Sequence, residues 1–261
     1  MRRPPFLAFE SSIAVLLWIA SPSLAQSGPA KATSFQPFEA SIGELQQAFQ
    51  SRQITCHAVA QFYLDRIQAY DKSGPALNAV QTTNPAALAE ADGLDAKFGT
   101  SGLTGPLHCV PVLVKDQVET SDMPTTYGSI LFKNFVPHRD ATVVTRLKSA
   151  GALILGKTTM GEFASGYLGS GFGVVRNAYE PRRYASGSSG GTGSGVAANF
   201  AIVGIGEDTG GSVRGPAAVN SLVGLRPTVP LVSRFGILPS RPTTDTLGPI
   251  TKTGGRRGAL A

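Results

Sequence analysis

Hydrophobic positions recur along the chain with the periods of helices and of buried strands. Val59, Phe62, Tyr63, Ile67 and Tyr70 have the spacing of one apolar helix face. A strand is predicted at about 77–81, and continuous apolar runs, which suit strands buried on both faces, occur at 110–114 and 152–155. This alternation predicts an α/β fold around a largely buried sheet.

Helix boundaries are marked by residues that satisfy the free backbone groups of a first or last turn. The predicted N-terminal signals are the capping box of Ser41 and Glu44, Thr55, the Asn84-Pro85 pair and Asp140. Gly99 is expected to end the third helix, and Ala150 the fourth.

Residues 186–216 contain two glycine-walled serine clusters, joined by the apolar stretch Val196–Gly206. Gly/Ser-rich sequences are often flexible linkers. The apolar stretch argues against a linker, because its first half has a helical apolar face and its second half suits a short buried strand. Since glycine lets backbone N–H groups approach a reacting atom, we interpret the segment as a candidate active site with serine nucleophiles.

The N-terminus has the features of an export signal. Arg2 and Arg3 form a basic region, residues 13–20 an apolar core, and 23–25 a cleavage site of small residues. The apolar run is too short to span a bilayer, so we predict a signal peptide at 1–25, no retained membrane anchor and an exported, periplasmic or secreted protein. The general and twin-arginine routes both stay open. Residues 26–37 are expected to be an extended lead-in.

Charge and composition exclude several classes of protein. Much of the +6 net charge lies in the leader and in the last ten residues, and no basic stripe remains to indicate nucleic-acid binding. His57, His108 and His138 are scattered, so we predict no metal site and no cofactor. Cys56 and Cys109 allow one disulfide in an oxidising compartment, which the sequence alone does not establish, and we favour two separate, buried thiols.

Ser189 lies in a G-x-S-x-G sequence, Gly187–Gly191, which is the nucleophile elbow of α/β-hydrolases. That mechanism needs a histidine after the serine, and none follows His138. A Ser-His-Asp hydrolase of this class is therefore excluded unless a C-terminal part is missing. Phosphate-binding glycine motifs are also absent, so nucleotide binding has no support.

A neutral lysine is another residue that activates a serine. Its pKa must fall by about three units for this near neutral pH, which requires burial or a cationic neighbour. Lys115 follows the apolar run 110–114, and Lys157 follows the run 152–155, so each stem would be walled by apolar residues. On this reasoning both lysines are candidates.

Four segments, in this order, resemble the amidase signature family. They are GPLHCVPVLVKD (105–116), GALILGKTTMGEFA (151–164), GSSGGTGSGVAA (187–198) and GEDTGGSVRGPAAVNSLVGLRPT (206–228). The resemblance covers 38–253 and implies an amidase-signature-type α/β core, in which helices sandwich a mixed, twisted sheet. It also implies hydrolysis of a carboxylic or peptide amide through a serine acyl-enzyme, without a cofactor.

The resemblance implies catalytic roles for three residues. Ser212 corresponds to the nucleophile, Ser188 to a serine that bridges it to the base, and Lys115 to the base, whereas Lys157 falls in another motif. Neutral Lys115 would take a proton through Ser188 from Ser212, which attacks the carbonyl. A cis peptide bond before Ser188 is also implied.

The loop around the nucleophile is implied to stabilise the oxyanion. Its implied donors are the backbone N–H groups of Thr209, Gly210, Gly211 and Ser212. Asp208 and Arg214 are expected to brace the loop as an ion pair. Ser189 is either a substrate-side hydrogen-bonding group or a turn residue, and we favour the turn.

The chain also departs from the family pattern. Ser186, Cys109 and Ala178 replace usual residues without removing a catalytic group. Family members are commonly nearly twice as long, and GGRRGALA (254–261) stands where they continue into a helix. We therefore expect a truncated product, with 38–253 as the N-terminal portion of an amidase domain and 254–261 as an aberrant tail. An unpaired sheet edge and an exposed apolar face would make it unstable.

Three functional interpretations follow. The first is an exported amidase acting on a small-molecule or peptide amide. The alternative is the A subunit of a tRNA-dependent amidotransferase, against which the leader argues because that work is cytosolic. The third is an inactive amidase fragment.

Overall fold

The computed structural model describes residues 35–254. The predicted signal peptide, residues 26–34 of the lead-in and residues 255–261 of the tail lie outside this range. The α-helices in the described part are α1 Ile42–Gln50, α2 Cys56–Tyr70, α3 Ala87–Ser101, α4 Thr142–Ser149, α5 Gly190–Ala197 and α6 Arg214–Val219. None of the helices between residues 35 and 254 has the length and hydropathy needed to cross a membrane.

The first two helices begin where the sequence predicts. Ser41 Oγ accepts the Glu44 N–H at 3.2 Å, and the Glu44 carboxylate accepts the Ser41 N–H at 2.7 Å, which completes the capping box of α1. Thr55 Oγ1 accepts the Ala58 N–H at 3.1 Å and caps α2.

The predicted starts of α3 and α4 and the predicted end of α3 are wrong, whereas α4 ends at Ser149 with Ala150 as its C-cap, close to the prediction. Asn84 accepts the Ala86 N–H at 2.9 Å in a turn and donates to the Ile154 carbonyl oxygen at 2.9 Å, so α3 begins two residues after Pro85. The helix ends at Ser101, with Gly102 as its C-cap, rather than at Gly99. Asp140 does not cap α4, because its carboxylate accepts hydrogen bonds from Ser121 and Lys148 instead. Residues with strong capping propensity are here used for tertiary contacts.

The main sheet has the strand order β1-β3-β2-β6-β8-β7. The strands in the described part are β1 Val80–Thr83, β2 Pro111–Lys115, β3 Leu153–Thr158, β4 Leu168–Gly169, β5 Gly173–Val174, β6 Val203–Asp208, β7 Val223–Gly224 and β8 Thr246–Thr251. Strand β2 is parallel to both β3 and β6, and the other pairs are antiparallel, so the sheet is mixed. The predicted α/β class is confirmed, although β1 lies three residues later than predicted.

The parallel strands in the middle of the sheet position the candidate site. Every residue of β2, β3 and β6 is buried, including polar residues at their carboxyl ends. Helix α5 contacts all three strands. Since the carboxyl ends of parallel strands meet at one edge of a sheet, Lys115 and Asp208 are brought together from distant parts of the sequence.

Cys56 and Cys109 form a disulfide, so the prediction of two separate thiols is wrong. Their Cα atoms are 5.6 Å apart, although the sequence separation is 53 residues. Cys56 is the first residue of α2, and Cys109 lies just before β2. The bond therefore ties the helix to the strand that carries Lys115, and a pairing over such a distance leaves no local signal in the sequence.

Helix α5 consists of small, buried residues because neighbouring backbone leaves no space for larger ones. A Cβ atom on Gly191 would lie 2.3 Å from the Ala79 carbonyl oxygen and 2.5 Å from the Thr159 carbonyl oxygen. A Cβ atom on Gly187, just before the helix, would lie 2.1 Å from the Gly166 carbonyl oxygen. The Gly/Ser-rich segment is thus a tightly packed helix and not a linker.

Candidate active site

Lys115 is the last residue of β2, and its side chain is completely buried. Its Nζ lies 2.7 Å from Ser188 Oγ, 3.1 Å from Glu207 Oε2 and 3.3 Å from the Glu207 carbonyl oxygen. Burial lowers the pKa of Lys115, and the nearby carboxyl of Glu207 offsets this only in part. The amine is held against a serine hydroxyl in surroundings that favour its neutral form.

Ser188 lies in the bend before α5 and is almost completely buried. The Gly187–Ser188 peptide bond is cis, and the Ser188 carbonyl oxygen accepts the Gly161 N–H at 3.1 Å. The short contact with Lys115 Nζ fixes the Ser188 hydroxyl at the end of β2. One of the two contacts of the implied relay is therefore formed.

Ser212 lies in the loop between β6 and α6 and is partly exposed. Its carbonyl oxygen accepts the Ser189 N–H at 3.3 Å, so this loop lies beside the bend that carries Ser188. Within residues 35–254 the Ser212 hydroxyl makes no hydrogen bond, and its contact with Ser188 is not formed. Catalytic hydrogen bonds often close only when substrate is bound, so the nucleophilic role of Ser212 stays a prediction.

Asp208, the last residue of β6, organises the loop that carries Ser212. Its carboxylate accepts backbone N–H groups from Gly211, Val213 and Arg214 at 2.6, 3.1 and 3.3 Å. The Arg214 guanidinium adds two contacts of 3.1 Å. Burial opposes ionisation, but the hydrogen bonds outweigh it and lower the pKa of Asp208. The expected Asp208–Arg214 ion pair is present, and it closes the loop.

The same arrangement changes the predicted oxyanion hole. The Gly211 N–H donates to Asp208 at 2.6 Å and so already has an acceptor in this structure, and its oxyanion role stays a prediction. The N–H groups of Thr209, Gly210 and Ser212 have no acceptor among the described residues. These three are the remaining candidate donors.

Ser189 has a structural role. It is completely buried, and its hydroxyl donates to the Glu207 carbonyl oxygen at 3.1 Å and accepts the Glu207 N–H at 3.3 Å. These contacts join the start of α5 to β6. The favoured interpretation of Ser189 as a turn residue fits the structure. A substrate-side hydrogen bond does not, because the hydroxyl already contacts the Glu207 backbone.

Glu207 is a buried functional group that the sequence reasoning missed. Its Oε2 contacts Lys115, and its Oε1 is 2.8 Å from Thr209 Oγ1, which is 2.7 Å from Asp245 Oδ1. The available signal was an acidic residue inside an apolar strand, 203–208. A carboxyl group at such a position needs a buried partner.

Lys157 lies in β3 and is also completely buried, but the structure does not bring it to the serines. Its Nζ is 2.7 Å from Thr125 Oγ1, the one hydrogen-bond partner it has in the described part of the chain. Burial lowers the pKa of Lys157 to about 8. Among residues 35–254, no group of three or more His, Cys, Asp or Glu side chains could hold a metal ion.

The mixed sheet, the buried lysine–serine contact and the glycine-rich loop define an α/β protein with a candidate serine–lysine hydrolytic site. The chain belongs to the amidase family, whose model matches residues 58–253. This confirms the family resemblance noted in the sequence.

Two kinds of relative show the extent of the match. The chain is 41% identical over 218 residues to the A subunit of glutamyl-tRNA(Gln) amidotransferase from Alkaliphilus metalliredigens, and the match covers 82% of this chain and 44% of that protein. The solved peptide amidase of Stenotrophomonas maltophilia is 40% identical, with a TM-score of 0.83, and the match covers 85% of this chain and 47% of that one. An amidase family protein from Bacillus anthracis is 38% identical, with a TM-score of 0.82, and the match covers 85% of this chain and 45% of that one. The chain spans less than half the length of these relatives.

Proposed function

We propose that this chain carries the site of an amide hydrolase that works through a serine acyl-enzyme. The observation that carries the proposal is the buried contact of 2.7 Å between Lys115 Nζ and Ser188 Oγ. Membership of the amidase family supports the reaction class. The substrate is a carboxylic or peptide amide, and the products are an acid and ammonia or an amine.

The proposed chemistry uses three side chains. Neutral Lys115 accepts the Ser188 proton, and Ser188 accepts the proton of Ser212 as Ser212 Oγ bonds to the amide carbon. The proton then returns through Ser188 to the leaving nitrogen, and the C–N bond breaks. Water gives a proton to the same relay, attacks the acyl carbon, and releases the acid and free Ser212.

The tetrahedral intermediate needs donors for its negative oxygen. The N–H groups of Thr209, Gly210 and Ser212 are the candidates, because Asp208 already engages Gly211. Removing one such donor typically costs about 3 kcal/mol of transition-state stabilisation. The bracing of the loop by Asp208 and Arg214 would keep these donors aligned.

An aromatic patch, formed by Tyr127, Phe132, Phe135 and Phe163, supports a substrate with an apolar group beside its amide. The rings contact one another at centroid distances of 5.4 to 6.3 Å, and the three phenylalanines are about 40% exposed. The neighbouring Gly161 N–H donates to the Ser188 carbonyl oxygen at 3.1 Å, so the segment beside the patch contacts the site. A peptide amide with an aromatic side chain fits this surface.

Export is part of the proposal. The predicted signal peptide supports it, and so does the Cys56–Cys109 disulfide, because disulfides persist mainly outside the cytosol. A reporter enzyme that is active only after export, fused behind residues 1–40, tests this. Activity of the fusion supports export, and inactivity that is cured by a known signal peptide contradicts it.

The similarity to the A subunit of a glutamyl-tRNA(Gln) amidotransferase favours a second candidate function, as part of such an enzyme. The export reporter separates the two, since tRNA work is cytosolic.

Covalent labelling tests the proposed site. The full chain is treated with a fluorophosphonate, and the adduct is located by mass spectrometry. We expect one adduct, on Ser212, that is lost in Ser212→Ala and kept in Ser189→Ala. A label that persists in Ser212→Ala contradicts the proposed nucleophile. A cooperative melt without any label supports the inactive fragment.

A further inference from the structure

Glu207 connects Lys115 to two other side chains. Its Oε2 is 3.1 Å from Lys115 Nζ, and its Oε1 is 2.8 Å from Thr209 Oγ1. Thr209 Oγ1 is 2.7 Å from Asp245 Oδ1. Glu207 and Asp245 are completely buried, so water does little to screen these contacts.

The contacts of the Thr209 hydroxyl indicate that one of the two neighbouring carboxyls carries a proton. The hydroxyl has one hydrogen but two carboxyl oxygens within hydrogen-bond distance, at 2.7 and 2.8 Å. It donates to one of them, so the other contact needs a hydrogen from the carboxyl group. One of the two carboxyls, Glu207 or Asp245, therefore carries a proton.

The backbone contacts of Asp245 are those of a hydrogen-bond acceptor. Its Oδ2 accepts the backbone N–H groups of Ser240 and Arg241 at 2.8 and 2.7 Å. The Glu207 carboxyl has no backbone donor among the described residues. The proton is thus assigned to Glu207 Oε1, which donates to Thr209, and Thr209 donates to Asp245.

We propose that Glu207 is a positioning residue, which carries a proton toward Thr209 and thereby lets Lys115 be the neutral base. This inference rests on the proposed function. A neutral amine donates its two hydrogens to Glu207 Oε2 and the Glu207 carbonyl oxygen, and its lone pair accepts the Ser188 hydroxyl. The three contacts of Lys115, at 3.1, 3.3 and 2.7 Å, match this arrangement. An ionised Glu207 would instead hold Lys115 as an ammonium, which cannot accept a proton.

The other charged groups near Lys115 are engaged elsewhere. Besides Glu207, the nearest carboxyls along β2, β6 and the start of β8 are Asp116, Asp208 and Asp245. Asp208 is neutralised by Arg214, with Arg226 at 3.4 Å. Asp116 accepts backbone N–H groups from Thr126 and Gly128. Glu207 is therefore the acidic group whose proton decides the charge of Lys115.

The pH dependence of fluorophosphonate labelling tests the inference. Glu207→Gln keeps the shape and hydrogen bonds of a protonated glutamate, so we expect the acid limb of its rate profile to match that of the parent chain. Glu207→Leu removes the acceptor that orients Lys115, and we expect labelling to slow by about tenfold or more. If Glu207 is ionised, Glu207→Gln removes a negative charge beside the lysine and moves the acid limb down by about one pH unit or more, which overturns the inference.

The threonine gives an independent variant. Thr209→Val removes the acceptor of the Glu207 proton, so Glu207 loses its proton more readily and holds Lys115 charged. We expect the acid limb to move up by about one pH unit, whereas Thr209→Ser keeps the parent profile. An unchanged profile in Thr209→Val overturns the inference.

Infrared spectroscopy separates failure of this inference from failure of the proposed function. A protonated carboxyl has a carbonyl stretch that a carboxylate lacks, and the difference between the parent chain and Glu207→Gln isolates the band of Glu207. We expect this band at neutral pH whether or not the chain reacts with the fluorophosphonate. Its absence overturns the inference, and absence of labelling with the band present overturns only the proposed function.

Discussion

Lys115 and Lys157 lie on neighbouring parallel strands, both completely buried, yet their surroundings differ. Lys115 contacts a serine hydroxyl, a carboxyl and a carbonyl oxygen. Lys157 contacts one threonine hydroxyl. Burial lowers the pKa of both lysines. A lowered pKa therefore does not distinguish the two lysines, whereas the contact with Ser188 does, and this contact is the basis on which Lys115 is proposed as the base.

The comparison also separates two uses of a buried amine. In the proposed neutral state, the three contacts of Lys115 satisfy its two hydrogens and its lone pair, which is the arrangement that a proton acceptor needs. Lys157 has unsatisfied hydrogen-bonding capacity, and its burial is a cost to folding. The difference leads to four predictions, in which the first effect is the largest.

The largest effect is expected from removing each amine in turn. Lys115→Met should slow fluorophosphonate labelling of Ser212 by about a thousandfold or more, because no base remains. Lys157→Met should label at nearly the parent rate. Second-order labelling rates at neutral pH measure both. Equal losses in the two variants would show that contact with Ser188 does not distinguish the base from the other buried lysine.

The second effect concerns the disulfide that ties α2 to β2, the strand that carries Lys115. Replacing both cysteines, Cys56→Ser with Cys109→Ser, should lower the free energy of unfolding by about 4 kcal/mol, since the bond closes a loop of 53 residues. Urea titration with and without reductant measures the loss. If reductant shifts the parent midpoint no more than that of the double variant, the disulfide does not stabilise the strand.

The third effect is a pH dependence of stability. The pKa of Lys157 is about 8 when folded and 10.5 when unfolded, so between these values the unfolded chain binds more protons. Stability contributed by this residue therefore rises with pH across that window, by about 3 kcal/mol in total, and Lys157→Met should abolish the rise. At neutral pH the variant should be about 2 kcal/mol more stable than the parent.

Lys148 is the matched control for this prediction. Burial works against its charge, but its hydrogen bonds to Asp122 and Asp140 outweigh this and raise its pKa. Lys148→Met should therefore reduce stability, opposite in sign to Lys157→Met. The midpoints of urea unfolding, measured for both variants over a pH series, test this prediction. A change in stability of the same sign in both variants would contradict the opposite pKa shifts of the two lysines.

The smallest effect is expected at the partner of Lys157. Thr125→Val removes the hydroxyl at 2.7 Å and leaves the amine without its hydrogen bond, which should cost about 1 kcal/mol of stability at neutral pH. Thr125→Ser keeps the hydroxyl and should behave as the parent. Equal midpoints for the valine and serine variants would show that the hydrogen bond contributes nothing.

The sequence predicted the parts of the site that local patterns mark. The apolar runs mark both Lys115 and Lys157, and the glycine-walled segments hold Ser188 and Ser212. Choosing Lys115 and giving the two serines separate roles required the resemblance to the amidase signature family. The α/β class followed from the alternation of helix and strand periods. Both kinds of signal are local, which is why they survive without any knowledge of tertiary contacts.

The errors arise where tertiary contacts override local preference. Asn84 and Asp140 have capping side chains, but Asn84 donates to the Ile154 carbonyl oxygen and Asp140 accepts the Ser121 N–H. The Cys56–Cys109 bond joins residues that no short pattern relates. Glu207 was visible only as an acidic residue in an apolar strand. Its significance depends on Lys115, which is 92 positions away in the sequence.

The packing of α5 has a consequence for engineering. Because a methyl group on Gly191 or Gly187 would overlap a carbonyl oxygen, almost no substitution is compatible with the fold there. Random libraries that vary Gly187 or Gly191 would consist mainly of variants that do not fold. Diversity that tests the proposed amide site is better placed at Phe132 and Phe163, whose side chains are 38% and 42% exposed.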